Sequence, residues 1–118
     1  MTLNRIRAIC LRFPGVTEQI QWGDDLVFKI GGKMFAVASL ADGGSAVAFK
    51  CTPEDFVLLT EREGVVPAPY LARAHWVSLA GFDILSPAEL AARLRNSYDL
   101  AIAGLPKKRR ESLSGGTE

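Results

Sequence analysis

Arg73-Ala74-His75-Trp76 brings a cation, an imidazole and an indole into one short segment. Such a group can hold a phosphate, stack on a base or bind an anionic ligand. The competing reading puts Trp76 in the core and leaves Arg73 and His75 facing water. Trp22 poses the same choice, between a ligand-facing indole and a large apolar residue packed at a strand end beside Gly23. Asp24-Asp25 can be read as paired carboxylates for acid/base work or as cation ligands. In a glycine-containing turn, however, Asp is common because its side chain bonds the local backbone.

Other chemistries lack their residues. Zinc needs three or four ligands, whereas His75 is the only histidine and Cys10 and Cys51 stand far apart in the chain, so no metal is expected. A cysteine paired with His75 would make a nucleophile, but neither cysteine has a context that lowers a thiol pKa, and a buried thiol is the alternative. Gly31-Gly32-Lys33 and Gly43-Gly44-Ser45 carry phosphate-loop letters without the spacing or the following helix, and hairpin turns explain both. No nucleophile, base and orienting group come together. The expectation is a protein that is not an enzyme, with no catalytic residue and no cofactor.

The elements that must position these residues follow from period and punctuation. Leu3, Ile6, Ile9, Cys10 and Phe13 recur at helical spacing before Pro14-Gly15. A strand is expected over Glu18–Trp22. Leu26–Ile30 and Lys33–Leu40 flank Gly31-Gly32, which suits a two-residue hairpin turn. In that register Phe28 faces Phe35 and Leu26 faces Val37 on the core side, while Lys29 faces Met34 on the other, so that Lys29 and Lys33 project from opposite faces. Ser45–Cys51 continues the meander, and placing Val47 and Phe49 on the Phe35 side calls for an odd loop or a bulge; the odd loop is the expectation. Thr52-Pro53 and Ser86-Pro87 are helix starts, each with acids in the first turn. The first helix runs to about Arg62 and the second carries Leu90, Leu94, Tyr98, Ala101, Ile102 and Leu105 to Pro106. Between them lie a proline-interrupted loop, Val65–Leu71, and a strand, Arg73–Leu79.

The pattern predicts an α+β fold, a mainly antiparallel sheet of hairpins packed against N-terminal, middle and C-terminal helices. A single domain over 1–106 is expected, then a basic, disordered tail over 107–118. The 118 residues are 48% hydrophobic and 23% charged, enough to bury a core. No apolar run reaches the ~18 residues of a membrane span, and the N-terminus lacks a secretory pattern, so the expected location is cytoplasmic. Net charge is +1, but before Lys107 the balance is 10 basic against 11 acidic residues. Attraction to nucleic acid must come from a local patch.

In chain order, Phe13-Pro14-Gly15-Val16, Trp22-Gly23, Val27 to Ala36, Lys50-Cys51-Thr52-Pro53-Glu54, Tyr70, Arg73, His75-Trp76, Ser97-Tyr98 and Leu105-Pro106-Lys107-Lys108 together resemble the MmcQ/YjbR family of small bacterial proteins. The resemblance spans about Leu3 to Lys108. It implies a compact α+β fold whose paired hairpins act as wings for DNA, the label this family commonly carries. Where its usual form has Asn-Lys shortly before His-Trp, Ala72-Arg73 keeps the cation and loses the amide.

Two functions from different classes follow. In one, a double-wing domain grips DNA phosphates without sequence preference through Lys29, Lys33, Lys50, Arg73, Lys107 and Lys108. In the other, a pocket near Trp22, Arg73, His75 and Trp76 takes a small anion or a protein partner.

Overall fold

Each helix opens on a hydroxyl cap that the sequence places there. Thr2, Thr52 and Ser86 accept hydrogen bonds from the backbone N–H groups of Arg5, Asp55 and Glu89, and they start α1 (Leu3–Arg12), α2 (Pro53–Thr60) and α3 (Pro87–Ala103). The computed structural model describes residues 1–40, 46–69 and 71–110. Its strands are β1 (Val16–Gln21), β2 (Asp25–Ile30), β3 (Lys33–Ser39), β4 (Val47–Lys50), β5 (Val65–Pro67) and β6 (Trp76–Leu79). They form one antiparallel sheet in the order β1-β2-β3-β4-β6-β5.

All three helices pack on one face of this sheet. Ile6 and Cys10 of α1, Leu59 of α2 and Leu90, Leu94 and Ala101 of α3 share a buried cluster with Leu26, Phe28, Phe35, Val47, Phe49, Val77 and Leu79. Phe35 meets Tyr98 edge-on at 5.5 Å, and Tyr98 in turn stacks near Phe13 at 4.9 Å and donates its hydroxyl to the Pro14 carbonyl at 2.6 Å. The strand alternation that buries these residues sends the intervening ones to a face that carries no helix.

The Gly-Gly hairpin forms, but its register corrects the expectation. Lys29↔Met34 and Ile30↔Lys33 pair as predicted beside the turn, and a bulge between Phe28 and Lys29 then shifts the ladder, so that Phe28 faces Ala36, Leu26 faces Ala38 and Val27 faces Val37. The extra residue is Phe35, which keeps its ring in the core, 6.4 Å from Phe28. The same bulge, not an odd loop, brings Val47 and Phe49 to the core side, opposite Ala38 and Ala36. Val37 is thereby turned to the bare face. The predicted Asp42-Gly43-Gly44 turn lies outside the described residues.

Other elements also differ from the expectation. β1 starts at Val16 and stops at Gln21, leaving Trp22 in the turn. Val65–Pro67, expected as loop, is the edge strand β5, where Val65 N–H is bonded to the Arg62 carbonyl and Ala68 N–H reaches Trp76 O. Arg73 is not in a strand, because Ala72–Ala74 wind into a 3-10 turn and His75 closes it with a left-handed backbone, φ 62°. Of the expected tail, Lys107–Arg110 begin a helical turn on the Pro106 carbonyl, and 111–118 lie outside the described residues.

Candidate functional site

The bare face is organised in rows by the register. One row runs Gln21, Asp25 and Ser39; the next runs Gln19, Val27, Val37, Ala48, Ser78 and Val66; beyond it lie Thr17, Lys29 and Met34 on β1–β3 and, separately, the pair Lys50 and Trp76 on β4 and β6. Successive rows are ~7 Å apart along the strands. The first two rows floor a cleft of about 540 Å³ with Val37, Ser39, Ala48 and Ser78. Trp22 and Asp25 form one wall. Ala68, Pro69 and Leu71, from the connection after β5, form the other.

Trp22 is the unusual member. It is 67% exposed and holds a left-handed backbone, φ 52°, next to Gly23 at φ 88°. A large side chain gains little burial there and bears backbone strain. Asp25 is half-buried on the first residue of β2, while Asp24 is exposed in the turn and its carbonyl accepts from Leu40 N–H at 2.7 Å. The two adjacent carboxylates therefore occupy different environments. They do not act as a pair.

Of the four residues expected at a pocket, Trp22 alone is on the cleft wall. Trp76 is buried, outside the helix-side cluster. The His75 ring packs edge-on against Phe56 at 5.6 Å, and its carbonyl accepts from Cys51 N–H at 2.9 Å and Cys51 Sγ at 3.3 Å. Arg73 is exposed on the 3-10 turn. No lysine, arginine or histidine lines the cleft among the described residues. Sequence reasoning missed Val37, Ser39, Ala48, Ser78 and Leu71; strand alternation was a signal for Ala48 and Ser78, whereas the bulge reverses it for Val37 and Ser39.

The basic residues divide. Lys29 and Lys50 are on the bare face, each two residues beyond the cleft-row residue of its strand, Val27 and Ala48. Lys33 is on the helix side, with its Nζ in the space a Cβ on Gly104 would fill, at the C-terminal end of α3 where a cation is favoured by the helix dipole. The turn itself is held down, since Gly31 abuts the Leu105 side chain. Lys107 and Lys108 are exposed. Burial pushes the Cys10 thiol up to about 12 and, with the nearby Asp55 carboxylate, the Cys51 thiol up to about 11, so neither offers a thiolate near neutrality. Among the described residues no group of three or more His, Cys, Asp and Glu could hold a metal, and no helix is long and apolar enough to cross a membrane.

Fold and cleft together define a helix-backed antiparallel sheet with a small-molecule-sized hollow on its bare side. The chain belongs to the YjbR family, whose model matches residues 11–100. It is 29% identical over 112 residues to the uncharacterized protein YbdF of Escherichia coli O157:H7, covering 93% of this chain and 92% of that protein. It is 26% identical over 116 residues to the uncharacterized protein YjbR of Escherichia coli K12, covering 96% and 98%. Among solved structures, the Deinococcus radiodurans protein DR2400, of family-model domain DUF419, superposes with a TM-score of 0.84 at 27% identity over 96% of this chain and 88% of that one. A Pseudomonas syringae protein shares the fold, with a TM-score of 0.69 at 18% identity over 86% and 99%.

Proposed function

We propose that this chain is a non-catalytic binding module whose working surface is the bare face of the sheet, and that the cleft beside Trp22 takes up a small ligand. The observation that carries the reading is Trp22 itself, an exposed indole held in a left-handed backbone on the wall of a hollow with a mostly apolar lining. A volume of about 540 Å³ suits a small organic molecule, and an apolar lining with a few polar groups is the usual make-up of such sites. The test is a thermal-shift screen of metabolites, followed by ¹H–¹⁵N spectra of the hits. Binding in the cleft moves the Trp22 indole N–H resonance, assigned through Trp22→Phe. A flat screen with no moving resonance sinks this reading.

Non-sequence-specific DNA binding is a second reading, favoured by Lys29 and Lys50 lying on the same bare face, with Arg73, Lys107 and Lys108 exposed elsewhere. Against it, Lys33 is engaged at the end of α3 and the hairpin turn packs on Leu105 instead of standing free as a wing. Anisotropy with labelled duplex DNA across a salt series decides. Lys29→Ala and Lys50→Ala should each lower the log–log salt slope by about 1, with Lys33→Ala leaving it unchanged. Absence of binding at low salt overturns it.

A further inference from the structure

Resting on the cleft being a ligand site, we infer that it selects an organic cation, an ammonium group carried on an apolar body. The lining supplies one carboxylate, Asp25, one indole, Trp22, and no basic side chain among the described residues. The Asp25 carboxylate makes no hydrogen bond or ion pair with any described residue. A neutral apolar ligand that covers it would strip its water and return nothing, and an anion would be repelled. A cation repays the lost hydration through a charge-assisted hydrogen bond, and it gains from the negative face of the indole. The rest of the cleft, Val37, Ala48, Ala68, Pro69 and Leu71, is surface for the apolar body. The competing lysines are distant. Lys29 lies four residues along β2 from Asp25, ~13 Å of strand, beyond the ~8–10 Å over which exposed charges act at physiological salt.

The inference departs from the anionic ligand suggested by the Arg73-His75-Trp76 run, and charge explains why. Those groups do not line the cleft, and the residue that does is an acid.

Three probes with one body and three charges test it on the full chain: phenethylamine, phenethyl alcohol and phenylacetate. Affinities come from calorimetry, and the Trp22 indole resonance reports location. Phenethylamine should bind about tenfold or more tighter than the alcohol, with phenylacetate weakest, the size of a hydrogen bond to a charged group. Asp25→Asn, which keeps shape and fold, should erase that preference, weakening the amine far more than the alcohol. Trp22→Ala should weaken amine and alcohol together. Phenylacetate or the alcohol binding as tightly as phenethylamine overturns the inference, as does a cation preference that survives Asp25→Asn, or no detectable phenethylamine binding. If metabolites of other charge still move Trp22, the ligand-site reading stands and only the cation assignment falls.

Discussion

Ser97 stands between Phe35 and Lys50 as a rung of the sheet. Its hydroxyl donates to the Phe35 carbonyl at 2.6 Å and accepts from Lys50 N–H at 3.0 Å. Ser39 N–H bonds Ala46 O, and alternation along the antiparallel ladder makes Phe35 and Lys50 the partners two rungs on. The bulge at Phe35 keeps those backbone groups apart, and a side chain from α3 fills the gap. Ser97 is itself fully buried.

Ser97→Ala should therefore destabilise by about 2 kcal/mol, because two buried backbone groups lose their partner while little volume changes. Urea unfolding checks this through a lower midpoint at unchanged m-value. An effect below about 0.5 kcal/mol would mean that the strands close on each other directly.

The two turn glycines should differ. Both have positive φ, 60° at Gly31 and 83° at Gly32, so alanine at either is strained by about 1 kcal/mol. A Cβ at Gly31 would also come within 2.9 Å of Leu105 Cδ1, whereas at Gly32 it meets nothing within 4 Å. Thermal unfolding should place Gly31→Ala below Gly32→Ala by a few degrees.

The tryptophans separate stability from binding. Trp22→Gly relieves a left-handed backbone and gives up little burial, so it should change stability by less than about 0.5 kcal/mol while weakening phenethylamine binding. Trp76 is 4% exposed, and Trp76→Ala should cost about 3–5 kcal/mol. Chemical denaturation of both variants is the measurement.

Stability should fall in alkali. The Cys10 thiol is raised to about 12 from an ordinary value of 9.0, so the folded state keeps its proton after the unfolded chain has lost it. The contribution is full below pH 9 and is lost as pH rises from there toward 12, at up to ~1.4 kcal/mol per pH unit. Cys51, raised to about 11, adds in the same sense. Urea midpoints across this range should decline less steeply in Cys10→Ala.

Helix starts were legible because their causes are local: Thr52-Pro53 and Ser86-Pro87 carry both cap and first-turn residue in adjacent letters. The Gly-Gly turn was legible for the same reason. The bulge was hidden because Phe35 and Ala36 are both apolar, so either register buries carbon on the core side. Arg73–Trp76 misled because its alternating sizes mimic a strand, while the bonds from Ala74 and His75 N–H back to Leu71 and Ala72 are too short-range for pattern to reveal. The cleft draws on Trp22, Asp25, Val37, Ala48, Leu71 and Ser78, one or two from each of several segments, and it exists only once the strand order is known.

The short strand β5 also governs how the sheet can meet other polypeptides. Bonds from Ala80 N–H to Gly64 O and from Ala68 N–H to Trp76 O turn the backbone of Val65 and Pro67 outward. Val65 N–H is taken by the Arg62 carbonyl and Pro67 has none, so this margin presents no donor to an incoming strand. An incoming strand would find only acceptors there, so peptide recruitment by strand addition and edge-to-edge stacking of copies are disfavoured on that side.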